Sequence, residues 1–327
     1  MANYYSMFKL KKDYPPTFFA VWRIVFGLYL TWIFVRLAPY ASEIYLSLSS
    51  PIDATSKASS IWGVVNIFPY IQSPASVTGF VVFLAFLSLL LTLGVWRRLC
   101  AALLFYGWSV LYIQNPIAFD PSAGYIGLLL LGLVVIPLGE PYVLLKSRQR
   151  DEESWFMPSV LYWGFWLILG LSFSISGYEK LQSSLWSSGE AIQYMLTSQI
   201  GFDNIAASLI LMASPITTFL TWLILYSQLL AVPSLMFSWT RFGLWGITVC
   251  LFTCSLLFLD LTEVIVGVLI FLAFLFDVSW FKELKKFFNV IQQNPNKAFA
   301  LFGFWYSRCF LDEVRTLYEQ NPQDFED

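Results

Sequence analysis

The chain has 327 residues, of which 58% are hydrophobic and only 12% charged, with 14 Trp, 17 Tyr and 31 Phe. Such a surface could not be wetted, so lipid must be the solvent for much of it and a soluble globular domain is excluded. A formal net charge of -2 excludes little, but the absence of histidine removes His-ligated haem, most catalytic zinc sites, the 2-His-1-carboxylate iron site and Ser-His or Cys-His nucleophile pairs.

A spanning helix needs about 20 mainly apolar residues, and shorter ones occur inside a bundle. On that basis the chain reads as an all-α, polytopic transmembrane helical bundle of about eight spans. They fall at about 18–37, 77–95, 99–114, 123–138, 155–178, 214–237, 242–259 and 262–279. The domain organisation expected is a cytoplasmic N-terminal segment over 1–17, a membrane domain over 18–280 and a cytoplasmic tail over 281–327. No site for a metal and no nucleic-acid partner is expected.

Charge supports the same count. Lys9, Lys11, Lys12, Arg97, Arg98, Lys146, Arg148, Arg150 and Arg241 fall in alternate connections, and six more cations lie in the tail. The opposite segments hold Lys57 and Lys180 against Glu43, Asp53, Asp120, Glu179, Glu190, Asp203, Asp260 and Glu263. Cations concentrate on the cytoplasmic side, so both termini are placed there and the protein is assigned to the cell membrane as a multi-pass chain.

The first span carries Arg23, a turn or two in, and Arg36 near its outer end. Two readings of Arg23 stand: its head snorkels to the cytoplasmic interface, or it pairs inside the bundle. Between the first two spans, residues 38–76 contain an amphipathic stretch near Ile61–Tyr70, and between the fifth and sixth the set Ala191, Ile192, Met195 and Leu196 recurs at helical spacing. Both predict short helices lying in the interface or capping the bundle. Around the turn between the third and fourth spans lies a polar and aromatic group, Tyr112, Gln114, Asn115, Pro116, Asp120, Ser122 and Tyr125. A turn with Asn-Pro and Asp-Pro-Ser needs no function to explain it, but it lies on the same side as Lys180. Of the four cysteines, Cys100 and Cys309 fall on the cytoplasmic side, while Cys250 and Cys254 share a helical face and read as small buried residues at a helix contact.

Lys180 is the residue most open to a chemical role. It ends the run Ser174-Ile175-Ser176-Gly177-Tyr178-Glu179-Lys180 at the outer end of the fifth span. Ser176, four residues earlier, shares its face, whereas Glu179 points about 100° away. Gly177 permits close approach of another helix. Desolvation disfavours an ammonium, which is how a lysine comes to act as a base near neutral pH; snorkelling to headgroups is the other reading.

Several stretches together carry a resemblance. Trp22-Arg23-Ile24-Val25-Phe26-Gly27, Leu93-Gly94-Val95-Trp96-Arg97-Arg98, Asn115-Pro116 through Gly127-Leu128, and Ser176-Gly177-Tyr178-Glu179-Lys180-Leu181 followed by Trp186 and Gly189 resemble, in order and spacing, the vitamin K-dependent gamma-carboxylase-like (HTTM) superfamily. The likeness covers about residues 18–200 well and the last three spans weakly. It implies that Lys180 is a base acting at a site open to the extracytoplasmic face, with a quinone as cofactor or substrate. The surrounding site it points to comprises Arg23, Asn115, Ser122, Tyr125, Ser176, Tyr178, Glu179 and Trp186. A histidine that the carboxylases carry is missing, its place falling near Ser122, and no large extracytoplasmic domain is read in the chain. Glutamate carboxylation is therefore not expected. A branch that matures a sporulation-delaying peptide toxin fits better, with a secreted peptide as substrate and a cytoplasmic partner protein. The alternative class is a non-catalytic membrane scaffold, immunity protein or small-solute transporter.

Overall fold

The computed structural model describes residues 11–12, 14–46, 60–61, 64–71, 73–144, 155–278 and 280. The chain divides into two compact units, Lys11–Phe276 and a second made of Met1–Leu10 with Asp277–Asp327, and every helix named below belongs to the first. Lys9, Lys57, the loop cations Lys146, Arg148 and Arg150, and the tail 281–327 with Cys309 lie outside the described residues.

The described residues are mostly helical. In chain order the helices are α1 (Pro16–Leu37), α2 (Ala41–Tyr45), α3 (Pro74–Thr92), α4 (Arg97–Gln114), α5 (Ala123–Val135) and α6 (Ser159–Leu181). They continue with α7 (Ser184–Ser187), α8 (Ala191–Thr197), α9 (Ile205–Met212), α10 (Ser214–Leu229), α11 (Ala231–Ser234), α12 (Ser238–Ser255) and α13 (Thr262–Phe274). Proline at the first turn of α1, α3 and α10 starts each helix where its missing N–H is not needed. Ser73 additionally caps α3 by accepting from the Ser76 amide.

Three helical stretches among the described residues are long and apolar enough to cross a membrane: Pro16–Tyr45, Pro74–Thr92 and Ser159–Leu181. Ala123–Val135 and Thr262–Phe274 are shorter apolar helices. The expected spans each coincide with a helix, but the sixth does not run whole. It breaks at Leu230, because Pro233 cannot offer an N–H to the Leu229 carbonyl four residues back. The stretch at Ile61–Tyr70 also differs from the expected short helix. Besides the short pairing of Lys11–Lys12 (β1) with Met157–Pro158 (β4), Ser60–Ile61 (β2) pairs antiparallel with Val64–Val65 (β3), as β-branched residues favour, and only Phe68–Tyr70 forms a single 3₁₀ turn. The expected helix at Ala191–Leu196 forms as α8.

Small residues set the closest helix contacts. On α1, Gly27 faces Thr92 of α3, and one turn on the Thr31 and Ser88 hydroxyls meet at 2.9 Å. Gly107 of α4 receives the Leu84 side chain of α3, Gly132 of α5 receives Phe165 of α6, and Gly267 of α13 receives Ser122. Large aromatic residues do a different job. The carbonyls of the last turns of α13 and just past it accept from Trp22 Nε1 at Ile270 (2.9 Å), Trp245 Nε1 at Leu272 (2.8 Å), Tyr14 Oη at Phe274 (3.0 Å) and Tyr162 Oη at Leu275 (2.9 Å). In surroundings without water, a donor on an apolar ring is the economical partner for such a group.

Cys250 and Cys254 correct the expectation of buried contacts: both are exposed, on the side of α12 away from its buried residues Leu244 and Thr248. Cys100 is buried.

Candidate functional site

Helix α6 presents Gly170, Ser174 and Gly177 along one face, at helical spacing, to the broken helix α10–α11. A Cβ at 177 would stand 2.5 Å from the Leu229 amide nitrogen, so only glycine lets the two backbones lie this close. Ser174 repairs the break opposite it. Its Oγ donates to the Leu229 carbonyl at 3.3 Å and accepts from the Val232 amide at 3.1 Å, the two groups that the interruption strands.

This close approach brings Gln228 to Lys180. The Lys180 Nζ donates to Ser176 Oγ at 2.6 Å, one turn back on the same helix, and to Gln228 Oε1 at 2.8 Å across the helix contact. Its third partner is the Trp186 ring on α7, whose centroid lies 5.2 Å from Nζ. Lys180 is half-buried.

Lys180, Gln228 and Trp186 line a cavity of about 250 Å³. The remainder of its wall is mainly apolar, with Ile224, Leu251, Phe252, Leu259, Val264 and Ile265 prominent, and among the described residues no carboxylate lines it. Trp186 and Met195 reach it from the segment after α6. That segment is fastened to α10: the Ile192 amide donates to Thr221 Oγ1 at 3.2 Å, and Gly189 at φ 85 nests against Thr218. A short antiparallel contact, Phe202 N to Phe258 O at 2.8 Å and Asp260 N to Ile200 O at 2.8 Å, ties the following residues to the turn between α12 and α13.

A second polar cluster lies elsewhere, around Arg23. Arg23 is 0% exposed and pairs with Glu140 at 3.4 Å, while its Nη2 donates to the Tyr142 carbonyl at 2.8 Å. Arg97 approaches the same Glu140 oxygen at 3.2 Å and donates to the Ile136 and Pro137 carbonyls at 2.6 and 2.8 Å, at the C-terminal end of α5 where a cation is favoured. Gly94, at φ 72, is the turn residue against the Arg23 guanidinium; a Cβ there would collide with Nη1. Of the two readings left open for Arg23, pairing inside the bundle is the one observed.

The structure thus brings Lys180, Ser176 and Trp186 together and sets the other expected site residues apart from them. Tyr178 is 59% exposed and Glu179 is exposed, both turned away from the cavity. Tyr125 packs on Phe271 with ring centroids 4.7 Å apart, and its hydroxyl meets that of Ser172 at 2.6 Å, joining α5 to α6. Asn115 is buried and donates to the Ile44 carbonyl at 3.0 Å, beside Gln114, which donates to the Tyr45 carbonyl at 2.8 Å; both fasten the α4–α5 turn to α2. Ser122 is buried against Gly267, after a tight turn in which its amide donates to Asp120. Arg23 shares no partner with Lys180. Arg36, expected as an interface anchor, pairs with Glu263 at 2.8 Å on the exposed surface.

Two residues were missed from sequence. Gln228 is 48 residues from Lys180, and nothing local marks it. Glu140, 117 residues from Arg23, carried the usable signal of an acid in a predicted cation-rich connection. Among the described residues, no group of three or more His, Cys, Asp or Glu side chains could hold a metal ion. No protein-family model, no curated protein and no solved structure matches the chain.

Proposed function

We propose that the chain is a multi-pass membrane protein of eight spans, with cytoplasmic termini, that takes a secreted peptide, lipid or quinone into the Lys180 cavity at the extracytoplasmic face and uses Lys180 as a proton-handling base. The observation that carries this is the presence of a charged group, the one among the described lining residues, in the wall of a mainly apolar chamber. Its partners suit both protonation states. Ser176 Oγ accepts from the ammonium and can donate to the lone pair of the free amine, while Gln228 Oε1 accepts in either state. The amine could therefore release and retake a proton without leaving a polar group stranded.

The proposal extends the gamma-carboxylase-like resemblance, which is supported by two coincidences. Arg23 from one motif and Gly94 and Arg97 from a second meet around Glu140, and Ser176, Lys180 and Trp186 from another meet at the cavity. A secreted toxin peptide as substrate and a cytoplasmic partner protein belong to the same proposal. Glutamate carboxylation does not.

One observation favours a second, non-catalytic reading. The Lys180–Gln228 bond bridges α6 and α10, as a structural clamp would. In a strain lacking the gene, Lys180→Met at wild-type membrane level is expected to fail to restore the host phenotype while keeping the wild-type thermal transition. Full restoration by Lys180→Met would remove the base. Loss of function that tracks loss of thermal stability equally in Lys180→Met and Gln228→Leu would establish the clamp.

A further inference from the structure

We infer that the occupant of the Lys180 cavity is a monocarboxylate on a short hydrocarbon tail, a medium-chain acyl carboxylate in size and chemistry. This rests on the reading of that cavity as the functional site and takes its lipid branch in place of the peptide and the quinone.

Three features of the chamber specify the ligand. The first is charge. Among the described residues Lys180 is the charged group on the wall, Glu179 lies on the exposed surface, and no carboxylate lines the space. An amphiphile with a cationic head is thereby rejected, and a neutral head gains only an ordinary hydrogen bond.

The second is the number and placement of donors. An ammonium has three protons, and two of them go to Ser176 and Gln228. Because Lys180 can only donate as the ammonium, Gln228 must turn Oε1 toward it, which leaves the Nε2 amide protons facing elsewhere; among the described residues nothing accepts them. The third Lys180 proton, which the Trp186 ring engages only by a cation–π attraction weaker than an ion pair, and the Gln228 amide are two donors for the two oxygens of one carboxylate. The remaining hydroxyls on the wall are already committed to their own helices: Ser227 donates to Ile224, Thr248 to Leu244 and Ser255 to Leu251. A phosphate monoester would need more donors than the site holds.

The third is size and lining. A dry cavity of about 150 Å³ accommodates benzene, which sets roughly 25 Å³ per heavy atom. At that rate a volume of about 250 Å³ takes about ten heavy atoms, the size of octanoate. Leu251, Phe252, Leu259, Val264 and Ile265 offer nothing to a polar tail, so an amide placed among them would lose its water without a partner.

The test is binding of radiolabelled octanoate to the full chain in phosphatidylcholine nanodiscs, with empty nanodiscs subtracted to remove lipid partition. Saturable binding is expected, with octanol at least tenfold weaker as a competitor and octyltrimethylammonium inert. N-acetylleucine, a carboxylate on a peptide unit, should also compete at least tenfold more weakly and so separates an acyl chain from a peptide C-terminus. Lys180→Met should lose at least tenfold in octanoate affinity, and Leu251→Trp, which fills the chamber, should abolish binding with Lys180 intact. No saturable binding, equal competition by octanol, stronger competition by N-acetylleucine, or an unchanged Lys180→Met would each overturn the inference. The two readings fail separately. If Lys180→Met abolishes function in the host while octanoate is not preferred, only the carboxylate falls; if Lys180→Met functions fully, the cavity loses its assigned role as well.

Discussion

Glu140 answers two arginines at once. Arg23 and Arg97 are both fully buried, and among the described residues Arg23 Nε and Arg97 Nη1 have no hydrogen-bond partner, so the cluster depends on its single acid and the carbonyls around it. Removing one partner from a buried ion pair leaves an uncompensated charge and costs about 3–5 kcal/mol. Glu140→Gln is therefore expected to lower the thermal transition of the purified protein in detergent steeply. Gly94→Ala should do the same more mildly, because a left-handed backbone costs a non-glycine residue about 1–2 kcal/mol before the collision with Arg23 is counted. An Arg23→Met, Arg97→Met, Glu140→Leu triple variant should recover much of the loss seen in Glu140→Gln. At this scale the sequence was uneven as a guide. Ser176 on Lys180 was legible because four residues is one turn of a helix, and Trp186 because it lies in the adjoining motif. Gln228 and Glu140 were not, because pairing across helices leaves no period in the sequence to read. Tyr178 and Glu179 were drawn in by proximity along the chain, although neighbours on a helix point about 100° apart.

Helices α6, α10 and α11 show how an interrupted element can be held. With the Ser174 hydroxyl removed, the Leu229 carbonyl and the Val232 amide lose their partner, and Ser174→Ala should cost about 1–3 kcal/mol. If the break is the reason, Pro233→Ala should relieve it by giving Leu229 an N–H from its own helix. The Ser174→Ala penalty is then expected to shrink in the double variant, a coupling measurable by a double-mutant cycle on thermal or denaturant stability. Gly177→Val should push α10 off α6 and separate Gln228 from Lys180, read as a longer spin-label distance between the two helices. Hydropathy located these helices well because lipid-facing and buried faces are both apolar. It could not place the break at Leu230, since an apolar residue scores the same in a helix and at its interruption. The β2–β3 pairing was hidden for a related reason: Ile61, Val64 and Val65 are apolar in either conformation.

For the molecule as a whole, the proposed topology sets Ser188 and Tyr142 on opposite sides of the bilayer, one after α7 and the other after α5. Both are exposed. In a chain without its native cysteines, Ser188→Cys is expected to react with an impermeant maleimide on intact cells, and Tyr142→Cys only after permeabilisation. Labelling of both from the same side would dismiss the eight-span arrangement. The long-range order of charge is the signal on which the proposed topology rests, because every connection that returns to one side repeats it. Which charges sink into the protein was not, since Arg97 reads as one more cytoplasmic marker and is buried.

The distance in sequence between Arg23 and Glu140 bears on how this protein is made. At about 5–20 residues per second, the 117 residues separating them take the ribosome about 6–23 seconds to add. In the proposed topology the first helix lies in the bilayer throughout that interval with its Arg23 guanidinium still without Glu140. A nascent chain of this kind must wait at the insertion machinery, borrow a temporary anion, or ride shallow in the headgroups until its partner emerges. Truncation just upstream of position 140 should consequently yield a product that is extracted and degraded, whereas truncation just beyond it should persist.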